Sequence, residues 1–233
     1  MITEPKIVYE DNHIIVVIKP HNISVQEDDS HDLDMLTLIK EFIKKRDNKP
    51  GNVFLGLVHR LDRPTGGVMV FAKTSKAASR LSKDLKDKKL KKHYICVANG
   101  KPQIASNTLT TYLKKDEKTN TVRIAPKLEE GSKQAVLDYE VLSAVDKFSL
   151  IKINLVTGRS HQIRVQMASQ LNVPIFGDFK YGDKAHGGAL ALWAYELTFT
   201  HPITKQEMLF RVAPDYNNPA FNLFKKDIEN LIQ

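Results

Sequence analysis

One carboxylate, Asp62, stands between Arg60 and Arg63 in the run Val58-His59-Arg60-Leu61-Asp62-Arg63-Pro64-Thr65-Gly66-Gly67. Flanking guanidinium groups favour the charged form of a carboxylate. Pro64 and the glycine pair place it on a turn, and the apolar run Val68-Met69-Val70-Phe71-Ala72 follows at once. A charged group at the mouth of a buried strand is positioned for chemistry rather than for packing. Gly66 and Gly67 allow another backbone or a ligand to come close.

Two further groupings carry charge and reach. The first is Gly158-Arg159-Ser160-His161-Gln162-Ile163-Arg164-Val165-Gln166-Met167. Read as a helix opening at Ser160, it offers unpaired N–H groups in its first turn, which suit an anion such as phosphate. His161 and Arg164, three apart, would share a face. With Ile163 and Met167 toward the core, Arg164 would lean toward an internal carboxylate while Arg159 meets solvent or a polyanion. The second grouping runs from Lys83 to Tyr94; Lys83 to Lys92 contains six lysines and two aspartates, and it ends in Lys91-Lys92-His93-Tyr94. Such a stretch can track a phosphate backbone. Strand alternation puts Tyr94, Cys96 and Ala98 on one face.

The chain has 233 residues, 42% of them hydrophobic, enough for a globular core, and a formal net charge of +8 that favours a polyanionic partner, most simply nucleic acid. A single cysteine, Cys96, excludes an internal disulfide and a cysteine-based zinc site, and its apolar neighbours mark it as a small buried hydrophobe. The histidines lack metal-ligand spacing, the acidic cluster Glu27-Asp28-Asp29 lacks a calcium-loop pattern, and neither a phosphate-binding glycine loop nor a Gly-x-Ser-x-Gly elbow is present. The first residues lack a signal-peptide pattern, and no apolar run nears the ~20 residues of a membrane span, so a cytoplasmic protein is expected.

The elements that must position these groups can be read from periodicity. Ile14–Ile18, Val68–Ala72 and His93–Ala98 read as strands, and 108–155 as a β meander. Late strands are expected near 191–199 and 208–212. Helical spacing predicts a helix over 32–46 with Leu33, Leu36, Ile39, Phe42 and Ile43 on one face. Another runs over 76–87, capped by Thr74 or Ser75, with Ala77, Ala78, Leu81 and Leu85 inward. A third runs over 160–170, and a terminal amphipathic helix over 221–232. Strands outnumber helices without regular alternation, which predicts an α+β fold with a mixed, mostly antiparallel central sheet flanked by helices.

Taken in order, these segments resemble the RluA-type family of RNA pseudouridine synthases. The resemblance lies in His59–Gly67, Phe71-Ala72-Lys73-Thr74, Lys92-His93-Tyr94, Gly158–Arg164, Pro174-Ile175-Phe176-Gly177-Asp178 with Tyr181-Gly182, and Leu197-Thr198-Phe199 with His201-Pro202. It implies isomerisation of uridine to pseudouridine within structured RNA, ribosomal RNA ahead of transfer RNA, with no cofactor and no metal. It implies the pseudouridine synthase fold with a cleft across the sheet; without an internal repeat or linker, the chain is expected to be a single catalytic domain over residues 1–233 with no N-terminal S4-like domain, and a monomer. By carry-over, Asp62 is the catalytic carboxylate, Arg164 its ion-pair partner, Tyr94 the ring packed on the target base, and Arg60 the side chain that enters the duplex. His59, Arg63, Lys92, Arg159 and His161 are the further expected RNA contacts. Many members have Ser where Gly66 stands and His where Gln166 and Trp193 stand, so substrate contacts there would differ. Two other readings are an RNA-binding or assembly protein that kept the fold and lost catalysis, and a carboxylate-based glycoside hydrolase. The second lacks the second catalytic carboxylate such enzymes use.

Overall fold

A computed structural model describes residues 4–182 and 188–233. In chain order the strands and helices are β1 (Lys6–Glu10), β2 (Ile14–Lys19), α1 (Met35–Arg46), β3 (Gly56–Leu57), β4 (Gly66–Ala72), α2 (Ser75–Lys86), β5 (Lys91–Asn99), β6 (Ser106–Asp116), β7 (Thr121–Ile124), β8 (Lys133–Val145), β9 (Phe148–Leu155), α3 (Gln162–Ser169), β10 (Leu192–Thr200), β11 (Glu207–Arg211), α4 (Pro219–Leu223) and α5 (Lys225–Ile232). The architecture is α+β with a mostly antiparallel sheet, as expected. The chain divides into two compact units, Met1–Lys91 with Ala194–Val212, and Lys92–Trp193 with Ala213–Gln233.

In the first unit β4 lies between β2 and β10, and every one of its residues is buried. That position explains why Gly66–Ala72 carries no polar side chain to face water. β2 pairs with it antiparallel, from Ile14 opposite Ala72 to Lys19 opposite Gly67. Gly67 has φ +135°, and a Cβ there would run into the backbone of Ala194 on β10, so only glycine fits. The strand therefore begins with a close approach that fixes where the preceding turn emerges. α1 begins at Met35 rather than at residue 32, because the Asp34 side chain accepts from the Thr37 backbone N–H (3.0 Å) and caps it. Its buried face is Met35, Leu38, Ile39 and Ile43. Leu33 falls before the cap and is exposed. α2 is capped by Thr74, one of the two expected residues, and buries Ala77 and Leu81.

In the second unit the strands lie in the order β5-β9-β8-β6-β7, all antiparallel, which realises the expected meander. Ile151, Ile153, Cys96, Val97 and Leu137 are fully buried in it. Cys96 is indeed packed as a hydrophobe, and burial pushes its thiol pKa up. The C-terminal helix is broken in two at Phe224, which leaves helical geometry and is itself fully buried. Among the described residues, no helix is long and apolar enough to cross a membrane, and no group of three or more His, Cys, Asp or Glu is arranged to hold a metal ion.

Candidate active site

Asp62 is half-buried on the turn that precedes β4, and its carbonyl accepts the Thr65 backbone N–H at 2.9 Å. The carbonyls of the next three residues are all taken by the end of β2 and the residues after it. Lys19 Nζ donates to Arg63 O (3.0 Å) and Thr65 O (2.6 Å), and also to Pro20 O (3.0 Å). His21 Nδ1 lies 2.8 Å from Pro64 O, so that nitrogen carries the proton. The Lys19 side chain is fully buried. Burial pulls its ammonium down to about 7, the Asp62 carboxylate pushes it back up, and Arg63 lowers it further. Three accepting carbonyls each need one of its protons, which keeps the ammonium form within reach at neutral pH. The turn is thus held by its backbone, and Lys19 is a cation that the fold sets against Asp62.

The arginines beside Asp62 in sequence are placed differently. Arg63 is exposed, and its guanidinium is engaged by the acidic segment before α1: Nη1 donates to Ser30 Oγ (2.9 Å) and lies 3.7 Å from Asp28, while Nη2 pairs with Asp32. Both aspartates lie below the usual carboxylate range: for Asp28 the hydrogen bonds from Ser24 and Ser30 come first, and for Asp32 the hydrogen bond from Arg63 does. Arg60 is exposed. His59 is buried, with Nε2 accepting from the Val70 backbone N–H at 3.2 Å, and ties the turn to β4.

In the second unit Tyr94 is buried on β5, opposite Ile153 of β9. Lys92, two residues earlier and on the same face, is half-buried, and burial lowers its pKa. Its Nζ lies where a Cβ on Gly158 would come within 3.2 Å, so β5 and the 157–159 turn meet there.

Helix α3 starts at Gln162, not at Ser160. His161 adopts a left-handed conformation (φ 51°) with no side-chain cap. The cause is Gln162 itself. Its Oε1 accepts from Thr157 Oγ1 (2.8 Å) and Arg159 N (3.0 Å), and its Nε2 donates to Val136 O (3.0 Å). The segment 157–161 is therefore a separate turn pinned to β8. Arg159, on that turn, is exposed and donates through Nε to Gln134 O at 2.8 Å.

Arg164 is buried and turns inward to a carboxylate, as its spacing predicts. The carboxylate is Asp178, which accepts from Nε (2.8 Å) and Nη2 (2.7 Å). Asp178 Oδ1 also accepts the backbone N–H groups of Lys180 (3.0 Å) and Tyr181 (3.1 Å). The Arg164 guanidinium lies 5.1 Å from the centre of the Tyr181 ring. Tyr181 Oη accepts from the Val122 backbone N–H (2.8 Å) and lies 2.6 Å from His161 Nδ1. His161 and Arg164 thus meet through Tyr181 rather than along one helical face.

The structure brings Asp62 and Arg63 together around Lys19 in one unit, with His59 bonded to β4 beside them in sequence, and Arg164 and His161 around Tyr181 in the other. Sequence reasoning gave no role to Lys19, His21, Gln162, Asp178 or Tyr181. The signal for Lys19 was a lysine closing a wholly apolar strand. Asp178 and Tyr181 lay in one of the recognised motifs, but nothing local tied them to Arg164. Gly177 has φ +73°, and a Cβ there would come within 2.6 Å of Ala189 O, so the bend that delivers Asp178 requires glycine.

A family model described as RNA pseudouridylate synthase matches residues 13–169. The chain is 33% identical over 238 residues to the ribosomal large subunit pseudouridine synthase C of Buchnera aphidicola subsp. Baizongia pistaciae, covering 97% of this chain and 70% of that protein. It is 32% identical over 235 residues to the uncharacterized RNA pseudouridine synthase YhcT of Bacillus subtilis, covering 98% and 71%. Among solved structures, human RNA pseudouridylate synthase domain containing 4 superposes with a TM-score of 0.78 at 21% identity, covering 94% of this chain and 93% of that one, which shows the shared fold.

Proposed function

The chain belongs to the RluA-type family of RNA pseudouridine synthases and is an isomerase, and from that premise we propose that it acts on structured ribosomal RNA, with Asp62 as the carboxylate that meets the ribose of a flipped uridine. In the overall reaction the N1–C1′ bond breaks, the uracil turns, a C5–C1′ bond forms, the C5 proton leaves and N1 gains one. Whether Asp62 attacks the sugar or removes a sugar proton, it must be anionic. A uridine inside a helix presents neither C1′ nor C2′ to a carboxylate, so it must leave the stack, at a cost of about a few kcal/mol.

The remaining roles follow the chemistry of each group. Arg60, exposed beside Asp62, fills the vacated stack by hydrogen bonding and planar stacking. The Tyr94 ring packs on the uracil, a contact worth roughly 1–3 kcal/mol. Arg164 is the ion-pair partner of Asp62. A guanidinium has five N–H donors, and the pair with Asp178 uses two, so one arginine can serve two carboxylates. Lys92, Arg159 and His161 contact the RNA on either side of the base and the exposed Arg63 does so beside Asp62, while His59, expected as an RNA contact, is buried and ties the Asp62 turn to β4. The detached uracil stays in place, so the second bond forms in an effectively intramolecular step that positioning accelerates.

The observation that carries this reading is the fixing of the Asp62 turn by Lys19 and His21 in a chain of this family. Ribosomal RNA comes first because several of the relatives are named for the large ribosomal subunit. The test is to incubate the protein with unmodified transcripts of large-subunit ribosomal RNA and of transfer RNAs and to map pseudouridine by carbodiimide-stop sequencing. Pseudouridine at discrete ribosomal positions is expected. Modification confined to transfer RNA would overturn the choice of substrate. RNA binding without pseudouridine in either pool would favour a protein that kept the fold and lost catalysis.

A further inference from the structure

The chain carries three dense basic stretches outside the residues assigned above, and they differ in what holds their charge. At the end of α1, Arg46 is paired with Glu10 (2.6 Å) and Asp47 (2.7 Å), and Lys49 lies 3.8 Å from Asp47, while Lys44 and Lys45 are exposed and make no ion pair among the described residues. On the β6–β7 hairpin, Lys114 pairs with Glu129 (3.0 Å), Arg123 with the same carboxylate, and Lys115 with Glu117. The third stretch is the end of α2 and the turn into β5, where Lys83, Lys86, Lys88, Lys89 and Lys91 are all exposed. Among the described residues, none of these five makes an ion pair, although Asp84 and Asp87 lie between them in sequence.

This third stretch is a fixed turn rather than a frayed helix end. The Asp84 carbonyl accepts the N–H groups of both Lys89 (2.8 Å) and Leu90 (3.3 Å). Lys88 closes the turn in a left-handed conformation (φ 58°), its N–H donating to Leu85 O at 3.2 Å. Leu90 is buried and anchors the turn, and α2 is tied down by Arg80 Nη1 donating to Pro202 O at 2.7 Å. The lysines are therefore displayed on a rigid support. Two cations at a helix C-terminus suit the helix dipole, but that accounts for Lys83 and Lys86, not for Lys88, Lys89 and Lys91 beyond it.

Position along the chain gives the partner. Lys91 opens β5, the strand that carries Tyr94 three residues on. At about 3.3 Å per residue, Lys91, where the turn ends, lies ~10 Å from Tyr94 along the strand. That is a reach of one or two nucleotides. We infer that the α2–β5 turn, through Lys88 and Lys89 with Lys83 and Lys86 behind them, is a docking surface for the phosphate backbone of the RNA strand flanking the target uridine. This deepens the function proposed above and rests on Tyr94 taking the base. The surface reads charge and not sequence, and so supplies affinity that other uridines in similar shapes would share.

The test compares two equal charge removals, Lys88→Gln with Lys89→Gln on the turn, and Lys44→Gln with Lys45→Gln at the end of α1. Binding of a synthetic 20-nucleotide RNA stem-loop is measured by fluorescence anisotropy from 50 to 300 mM KCl, and thermal melts confirm that each variant folds. The turn pair is expected to lower affinity about ten-fold at 0.1 M salt and to reduce the slope of log K against log salt by about 1–2, while the α1 pair changes neither. Equal effects from both pairs, or no change of slope in the turn pair, would overturn the inference. So would loss of binding to phosphatidylglycerol vesicles with RNA binding intact, which would assign the lysines to a membrane surface. Pseudouridine formation by the unaltered protein is scored separately. A turn pair that loses salt-dependent binding in a protein that modifies no RNA sinks the enzymatic reading and keeps the surface, and the reverse pattern does the opposite.

Discussion

At the end of β2, Lys19 and His21 grip the Asp62 turn by its carbonyls, whereas at the start of α3 Arg164 is gripped by its own side chain, through Asp178 and the Tyr181 ring. In the first region the fastening acts on the backbone of the turn that carries the carboxylate. In the second the functional charge is itself part of the fastening. The two regions should therefore fail differently. Damage to the first displaces Asp62 but leaves charges nearly balanced. Damage to the second removes a charge from a buried ion pair.

The largest effect on stability is expected from Asp178→Asn, which removes the carboxylate charge that accepts two hydrogen bonds from the buried Arg164 guanidinium. Breaking such a pair costs about 3–5 kcal/mol, whereas replacing both partners by apolar groups is often neutral. Urea unfolding should show a loss of that size in Asp178→Asn and recovery of most of it in the double variant Arg164→Met with Asp178→Leu. A double variant no better than the single would show that the region does not depend on charge compensation. Activity should be lost in both, which separates folding from function.

Next is Lys19→Met. It removes three hydrogen bonds to carbonyls but also relieves a buried charge, so the net cost is about 2 kcal/mol. Turnover should fall further than stability, because the turn no longer holds Asp62 in place. Unchanged turnover would mean that the turn holds itself.

The same lysine sharpens the contrast through pH. Its folded pKa is about 7 against an ordinary value of 10.5, so between those values the unfolded chain binds more protons than the folded one. Stability from this group therefore rises with pH across that window and is lost as pH falls toward 7, with a slope of at most about 1.4 kcal/mol per pH unit. Lys92, lowered by burial, contributes with the same sign. Denaturation between pH 7 and 10 should give a flatter curve for Lys19→Met than for the unaltered protein. Parallel curves would remove the buried ammonium from the account.

The smallest effect belongs to Arg63→Ala. Its partners Asp28 and Asp32 lie on the surface, where such pairs add little. Thermal melts at 0.15 M salt should be indistinguishable from those of the unaltered protein. A clear drop would make the acidic segment before α1 a structural strap over the Asp62 turn.

The same contrast explains what was legible in the sequence. Pro64 and Gly67 announce the Asp62 turn locally, and the apolar Val68–Ala72 run announces the buried strand after it. Thr74 marks the start of α2 because a cap is a local interaction. Helix α3 was misplaced at its start because a distant strand, β8, claims the Gln162 side chain and pulls 157–161 into a turn. The break at Phe224 was hidden for a similar reason, since burial of that ring overrides a continuous amphipathic pattern. Lys19 read as the polar end of a strand, because two of the three carbonyls it meets lie more than forty residues away. The inward lean of Arg164 was legible from Ile163 and Met167, but its partner was not, since only the fold brings residue 178 to residue 164.

The most direct test of the account is Asp62→Asn, an uncharged replacement of nearly equal shape, assayed on the RNA that the unaltered protein modifies. Binding should stay within about two-fold, and single-turnover pseudouridine formation should fall by about 10³-fold or more, as when a group acting on the reacting atoms is removed. Pseudouridine formed at close to the native rate would contradict the assignment of Asp62 and, with it, the reading of the turn that Lys19 holds.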